Sequence, residues 1–306
     1  MLSAIDHAFM RHVVMNNLSY GTTEEFAFRQ TIYAQTDAFI TNFNQQPNQT
    51  HTVGHNKFST WSDYEMKTMN GYKQDEENVE FRYKMFSEKN NAEGVNWVDA
   101  GAVTPVKNQG SCGSCWSFST TGALEGMHQI ASGDLVSLSE QQFVACDKPL
   151  NHGCNGGSMA LAFKYAKSNA VESEADYPYT AGAGDRGSCE YDSSKGVVTD
   201  TSFAMVTPGS VDQFKAALNN GPVSIAIQAD QRVFQQYTSG VLTEGCGTQL
   251  DHGVLAVGYG VEDGVEYYLV KNSWGPEWGL DGYIKLGVEE GDGVCGIQMQ
   301  PVQPSA

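Results

Sequence analysis

The chain has 306 residues, 40% of them hydrophobic, and a formal charge of −18, so it can bury the core of two ordinary domains or of one with an added segment. No apolar run approaches the roughly 18 residues of a membrane span, and no transmembrane segment is expected. Residues 91–306 carry ten basic against twenty-five acidic residues, a field that repels phosphate backbones, argues against nucleic acid as a partner and suits an acidic compartment.

The N-terminal stretch MLSAIDHAFMRHVV has no uninterrupted apolar segment and no small-residue cleavage site, so no signal peptide is visible in it. Next, TEEFAFRQTIYAQTDAFITNFNQQ places Phe28, Ile32, Phe39, Ile40 and Phe43 at spacings of three and four, which predicts an amphipathic helix ended near Pro47. The charged segment KQDEENVEFRYKMFSEKNNAEG then reads as a linker into glycine-rich, cysteine-containing sequence. Beyond Trp97, one helix is expected from Cys115 to Gly133, a second behind the Ser139-x-x-Gln142 capping box and a third over SMALAFKYAKSN. A further helix follows the Ser210-x-x-Gln213 box and stops at Gly221-Pro222. The runs PVSIAIQ, GVLAVGY, EYYLVKN and GYIKL predict strands, the middle two joined by a hairpin at Asp263-Gly264. Helices followed by strands predict an α+β fold in two lobes.

All seven cysteines, Cys112, Cys115, Cys146, Cys154, Cys189, Cys246 and Cys295, follow residue 111. The odd count predicts three disulfides and one free thiol, an arrangement of oxidising compartments. Within KNQGSCGSCWSF, the pair Cys112-x-x-Cys115 admits three readings. A zinc site would need a second short-spaced pair of ligands near the first, whereas Cys146 and Cys154 are eight residues apart. A redox pair would follow a buried parallel strand, and the preceding AGAVTPVKNQGS is a loop. The third reading, one structural and one reactive cysteine, puts Cys115 at a helix start, where amides and macrodipole stabilise a thiolate. Such a nucleophile requires an imidazole to carry its proton and a group to hold that imidazole.

The motifs NQGSCGSCWSF, GCNGG, LDHGVLAVGYG and KNSWGPEWGLDGYIKL, in this order, resemble the papain family of cysteine proteases, most nearly its cathepsin L-like branch. The resemblance covers residues 91 to about 300. It implies a papain-like two-lobed fold, with a mainly helical left domain over 91–203 and a mainly β right domain over 204–306. It implies Cys115 as nucleophile, His252 as the imidazole that pairs with its thiolate, and Asn272 as the group that orients His252. Trp274 would shield that bond, and Gln109 would donate to the developing oxyanion together with the Cys115 amide. By the same resemblance the disulfides are Cys112–Cys154, Cys146–Cys189 and Cys246–Cys295. Gly156 and Gly157 would pair with an extended peptide, Asp251 and Trp274 would also contact substrate, and Ser158, Met159, Ala226 and Leu250 would line the site of the second residue before the scissile bond, P2. That pocket should prefer bulky apolar side chains. Its floor holds Gln300 where cathepsin L-like members usually carry a small residue, a departure expected to broaden selectivity toward aromatic or polar groups. No histidine-bearing insertion separates Cys146 from Cys189, which favours an endopeptidase. No metal or organic cofactor is implied. The expected partners are protein and peptide substrates and cystatin-type inhibitors, the expected state a monomer, and the expected location lysosomal or secreted. A catalytically silent binding homologue is the competing reading, against which Cys115, His252, Asn272 and Gln109 stand together.

Glu25, Arg29, Ile32, Tyr33, Ile40 and Asn44 fall on the spacing of the ERFNIN propeptide helix of cathepsin L-like zymogens, and Gly54, Asn56 and Phe58 resemble the GxNxFxD segment that follows it. Thr36 and Thr60 depart, replacing Asn and Asp. The resemblance implies that residues 1–90 are an inhibitory propeptide that passes through the cleft and is removed near residues 88–92 at acid pH. Without the Asp at position 60, the acid trigger is expected in other carboxylates, such as Glu25 or Asp63.

Overall fold

The structure is a computed structural model that describes residues 2–74, 82–87, 93–149, 151–200 and 202–305; the expected cleavage region 88–92 lies outside them. The chain opens with α1 (Ala4–Met15), capped by a reciprocal Ser3–Asp6 box, and α2 (Thr23–Asn44), capped by Thr22. They meet through aromatic rings: Phe9 lies 5.0 Å from Phe26 and 5.6 Å from Tyr33. The predicted long helix is present, but its inner face runs through Arg29, Tyr33 and Thr36, and Phe28 is 52% exposed. At about 100° per residue Phe28 points away from the line that Arg29 and Tyr33 define.

After the turn at Pro47, β1 (His51–Val53) is held by Asn44, whose amide donates to the Val53 carbonyl at 2.7 Å and whose Oδ1 accepts the Val53 amide at 3.1 Å. Next come α3 (Asp63–Met69), with a Ser62–Glu65 capping box, β2 (Tyr83–Lys84) and β3 (Val95–Asn96). Then α4 (Cys115–Ser132) runs to Gly133, which takes φ +86°, a conformation that favours glycine. With α5 (Glu140–Cys146) and α6 (Met159–Ala166) it encloses an apolar cluster that includes Trp116, Leu124, Phe143, Val144 and Phe163. A small sheet pairs β4 (Val171–Glu172) with β5 (Gly196–Val198).

The remaining elements are β6 (Ser202–Val206), α7 (Val211–Leu218), β7 (Val223–Ile227), α8 (Arg232–Gln235), β8 (Tyr237–Leu242), β9 (His252–Glu262), β10 (Val265–Lys271), β11 (Tyr283–Gly287) and β12 (Val302–Ser305). The large sheet runs β1-β8-β11-β10-β9-β7-β12-β6-β2, with β3 pairing β9. The hairpin of β9 and β10 turns at Asp263 and Gly264, at φ +50° and +83°. A second apolar cluster on this sheet includes Phe214, Ile225, Phe234, Tyr268, Trp274 and Trp278. The α+β expectation therefore holds. The first ninety residues contribute both terminal strands of the order, β1 and β2. Among the described residues no helix is long and apolar enough to cross a membrane.

Both later helix caps are half-formed boxes. Ser139 and Ser210 accept from the Gln142 and Gln213 amides at 3.0 and 3.2 Å, but neither glutamine side chain returns to its cap. The Gln142 amide donates to the Ala170 carbonyl and its oxygen accepts from the Glu172 amide. The Gln213 side chain binds residue 86. Tertiary partners outbid the local return bond in each case.

Candidate active site

Cys115 begins α4, where unpaired helix amides and the dipole favour negative charge at the first residue. Its thiol is fully buried, and Sγ accepts from the amides of Gly71 and Gly253, both at 3.3 Å. Burial pushes the Cys115 thiol up to about 11, against the two amides, which pull it down. Gly253 follows His252 at the start of β9, the strand paired with β7 through Ile227 and His252. The His252 Nε2 lies 2.8 Å from Asn272 Oδ1. Its Nδ1 is buried without a hydrogen bond among the described residues. Burial pushes the imidazole down to about 4, against the Asn272 bond. In this closed state burial thus works against charge on each group taken singly, the thiol and the imidazole alike. The Trp274 ring lies 4.8 Å from that of His252.

Gln109 is fully buried and its amide orientation is set by Ser273, whose hydroxyl donates to Oε1 at 2.7 Å. The Nε2 group then donates to the Cys112 carbonyl at 2.8 Å and to the Met69 carbonyl at 2.7 Å. Ser273 was not singled out from the sequence, although it stands between Asn272 and Trp274 in KNSWG. The three disulfides are Cys112–Cys154, Cys146–Cys189 and Cys246–Cys295, with Cys115 the free cysteine among the described residues.

Residues 70–73, which follow α3, lie along this groove. The Gly157 amide donates to the Gly71 carbonyl at 2.8 Å, and the Lys73 amide donates to the Gly157 carbonyl at 2.9 Å, so that Tyr72 and Gly157 form a parallel bridge. Gly156 takes φ +105°, and a Cβ there would lie 2.5 Å from the Gly71 carbonyl oxygen; both conformation and approach require glycine. Tyr72 donates its amide to the Asp251 carbonyl at 2.9 Å, and the Asn70 side chain donates to the Asp251 carboxylate at 2.9 Å. Burial pushes the Asp251 carboxyl up to about 6. The Tyr72 ring belongs to one apolar cluster with Met159, Ala226 and Leu250, and its hydroxyl donates to the Gln300 side-chain oxygen. Ser158 is buried beside them, its amide held by Asn151 Oδ1 at 2.7 Å. Over the far side of the site, Phe58 meets Trp274 edge-on at 5.1 Å, and Lys57 donates to the Trp274 carbonyl and to Glu277.

A buried ionic cluster, invisible in the sequence because its members are dispersed, supports the end of β10, the strand that leads into Asn272. Lys107 lies 3.2 Å from Glu125 and 2.7 Å from Glu140. Thr104 donates to Glu125 at 2.6 Å and accepts from Lys271 at 3.0 Å. Each charge has a hydrogen-bonded partner, which is what makes such burial tolerable.

Residues 91–305 match the papain family cysteine proteases, and residues 9–66 match the cathepsin propeptide inhibitor domain (I29). The chain is 41% identical over 307 residues to "Probable cysteine protease RD21C" of Arabidopsis thaliana, covering 97% of this chain and 67% of that protein. It is 50% identical over 216 residues to "Probable cysteine protease RD21B" of the same plant, covering 69% of this chain and only 46% of that one. The solved structure of digestive procathepsin L 3 from Tenebrio molitor larval midgut superposes over 100% of both chains with a TM-score of 0.89 at 34% identity. The chain belongs to the papain family of cysteine proteases, as a precursor that carries a cathepsin-type inhibitory propeptide.

Proposed function

We propose that this chain is the zymogen of a cysteine endopeptidase in which Cys115 is the nucleophile, His252 carries its proton, Asn272 orients His252, and Gln109 with the Cys115 amide stabilises the oxyanion. The observation that carries the reading is the segment across the site: a peptide carbonyl, that of Met69, sits on Gln109 Nε2 while Cys115 Sγ meets an amide, that of Gly71. A substrate carbonyl placed on Gln109 would be polarised for attack by the sulfur. The propeptide fills the Gln109 donor but offers the sulfur an N–H, which occupies the site without presenting a carbonyl carbon. Residues 1–90 are then the propeptide, 91–203 and 204–306 the two lobes, and the disulfide-bonded product is suited to an acidic secreted or lysosomal setting. A monomer, and inhibition by cystatin-type proteins in the emptied cleft, belong to the same reading. The test is incubation of the intact chain at pH 5 with a thiol. The expected result is loss of the propeptide mass and a parallel gain in hydrolysis of a fluorogenic hydrophobic dipeptide; a mass loss without activity would leave only a fold.

The P2 pocket is already occupied by a tyrosine. Tyr72 sits among Met159, Ala226 and Leu250 with its hydroxyl on Gln300, which supports a preference for bulky apolar and aromatic P2 residues with tyrosine accepted. In Gln300→Ala the ratio of kcat/KM for P2 tyrosine over P2 phenylalanine should fall about fivefold, the worth of roughly 1 kcal/mol for a lost neutral hydrogen bond. An unchanged ratio in a matched substrate pair removes Gln300 from specificity.

Acid activation is supported by two buried propeptide histidines, in addition to the carboxylates expected from the sequence. Thr60, in place of Asp, is buried and its carbonyl accepts from Arg29, whose guanidinium holds Glu65 at 2.5 and 2.6 Å. Burial alone would raise the Glu65 carboxyl, but bonds from Arg29 and Ser62 bring it down to about 2. Its contribution is complete above the ordinary carboxylate range and is lost progressively as the pH falls from about 4.5 through about 2, so that most of it survives at pH 5. Asp63 is exposed, and Glu25 bonds Arg29 and the Gly21 amide at the surface. The propeptide groups in the right window are His12 and His51, 7% and 2% exposed. Burial, joined at His12 by the charge of His55, pushes both down to about 4. Between there and the ordinary 6.5 the unfolded propeptide binds more protons than the folded one, so stability falls as the pH drops through this window. The loss is at most about 3 kcal/mol per histidine. Replacing both by phenylalanine should keep the apolar contacts and move the pH midpoint of processing downward, read from mass against pH; an unmoved midpoint places the trigger elsewhere.

A further inference from the structure

The propeptide leaves a second footprint at the β6 end of the sheet, where the family resemblance assigns no role. Residues 82–87, RYKMFS, run parallel to β6 with Tyr83 in register with Met205 and Lys84 with Val206. The Met205 amide donates to the Arg82 carbonyl at 2.9 Å. Two residues on, Phe86 is buried to 7% exposure within the apolar cluster of the sheet, with the Lys84 ammonium 4.8 Å over its ring. One side chain reads the Phe86 backbone on both sides. Gln213 Oε1 accepts the Phe86 amide at 2.8 Å, and Gln213 Nε2 donates to the Phe86 carbonyl at 3.1 Å. This is the glutamine of the Ser210 box, and its return bond to the cap has been exchanged for a grip on an extended main chain.

We propose that the processed enzyme carries here an exosite, separate from the cleft, for an extended polypeptide segment of basic-x-aromatic pattern, of which Lys84-x-Phe86 is the built-in copy. The proposal rests on the reading that the propeptide is removed. Its removal turns β6 into an edge strand with unpaired main-chain groups, a template for strand addition. It also empties the place of the Phe86 ring and leaves both polar ends of Gln213 without their present Phe86 partners. The recess lies beside Ala216, Asn219 and Asn220. Main-chain bonds to β6 and Gln213 give affinity for any extended strand, and the ring pocket selects an aromatic side chain. Charge selects the rest: with ten basic against twenty-five acidic residues in 91–306, the processed enzyme attracts a segment that carries arginine and lysine. A polypeptide substrate with such a segment would be gripped at a point remote in sequence from the bond that is cut, and its local concentration at the cleft would rise.

The experiment uses the processed enzyme with Cys115 alkylated by iodoacetamide, so that nothing is cut. A fluorescein-labelled hexapeptide of residues 82–87 is titrated by anisotropy in the presence of an excess of hydrophobic dipeptide to fill the cleft. Saturable binding is expected, weakened roughly tenfold or more by Phe86→Ala in the peptide, the scale of a lost buried ring, and weakened also by Gln213→Ala in the enzyme and by salt. The peptide variant keeps the test sound even if Gln213→Ala does not fold. Absence of binding, or binding indifferent to Phe86→Ala, overturns the exosite while leaving the protease reading intact. A chain that never releases its propeptide overturns both, and is told apart by its mass before any peptide is added.

Discussion

A Cys115→Ala chain is expected to stay full length at pH 5 with a thiol present, and, once freed of its propeptide by a trace of the unmutated enzyme, to hydrolyse dipeptide substrates slower by a factor on the order of 10⁵ to 10⁶. Deleting a nucleophile that acts as a unit with its base removes nearly the whole covalent route at once, which is why the loss is this large. The fold should survive. The sulfur accepts two long amide bonds, at 3.3 Å from Gly71 and Gly253, and the truncation removes one atom from a site that the surrounding backbone lines. A modest loss of about 1 kcal/mol is the expected scale. Mass spectrometry follows processing, and burst-free kinetics on the purified product follow activity. Retention of more than a hundredth of the activity in a preparation free of the unmutated enzyme would remove Cys115 from the role of nucleophile.

The second large effect is on latency. Gly71 has no room for any side chain: a Cβ at this position would lie 1.9 Å from the Gly113 carbonyl oxygen and 2.7 Å from its Cα. The obstruction is backbone on the disulfide-tied loop beside Cys112, so it cannot rotate aside. In Gly71→Val the propeptide strand must lift, which breaks the Gly71–Gly157 and Lys73–Gly157 bonds and withdraws the amide from Cys115. Overpacking of this kind costs up to about 3 kcal/mol when the neighbour yields, equivalent to roughly a hundredfold change in the population of the opened state. The measurement is the rate at which iodoacetamide alkylates Cys115 in the intact chain at pH 7, read by mass over the first minutes. The unmutated chain, with its thiol fully buried, should react slowly, and the variant on the order of a hundred times faster. Equal rates would mean that residues 69–73 do not guard the thiol.

Much of the chemistry could be read from the chain because it is local or ordered. Cys115 at a helix start, the odd cysteine count, the Asp263-Gly264 turn and the apolar runs of β7, β9, β10 and β11 are each written within a few residues. Short strands at the sheet ends were not legible. Tyr83–Lys84 and His51–Val53 are polar, two and three residues long, and become strands only because β6 and β8 offer them edges. Periodicity places Phe28 inside, yet it lies outside because Arg29, one residue on, is drawn in by Glu65 across thirty-six positions.

Taken alone, the order of residues pointed to which groups could react: the odd cysteine of a set of seven, the histidine of LDHG, the asparagine of KNSWG, and a long acidic chain with a helical, cysteine-free beginning. Only the tertiary structure decided what state those groups are in and what they touch. It buried Cys115 and His252 so that desolvation opposes charge on each, turned Gln109 toward a propeptide carbonyl through Ser273, seated Tyr72 on Gln300, and diverted Gln213 from its own helix to the Phe86 backbone. The reason is physical. Residue type and spacing carry what depends on covalent chemistry and on neighbours within a turn or two, whereas desolvation and the choice among competing hydrogen-bond partners depend on which distant segments the fold brings within about 3 Å of one another.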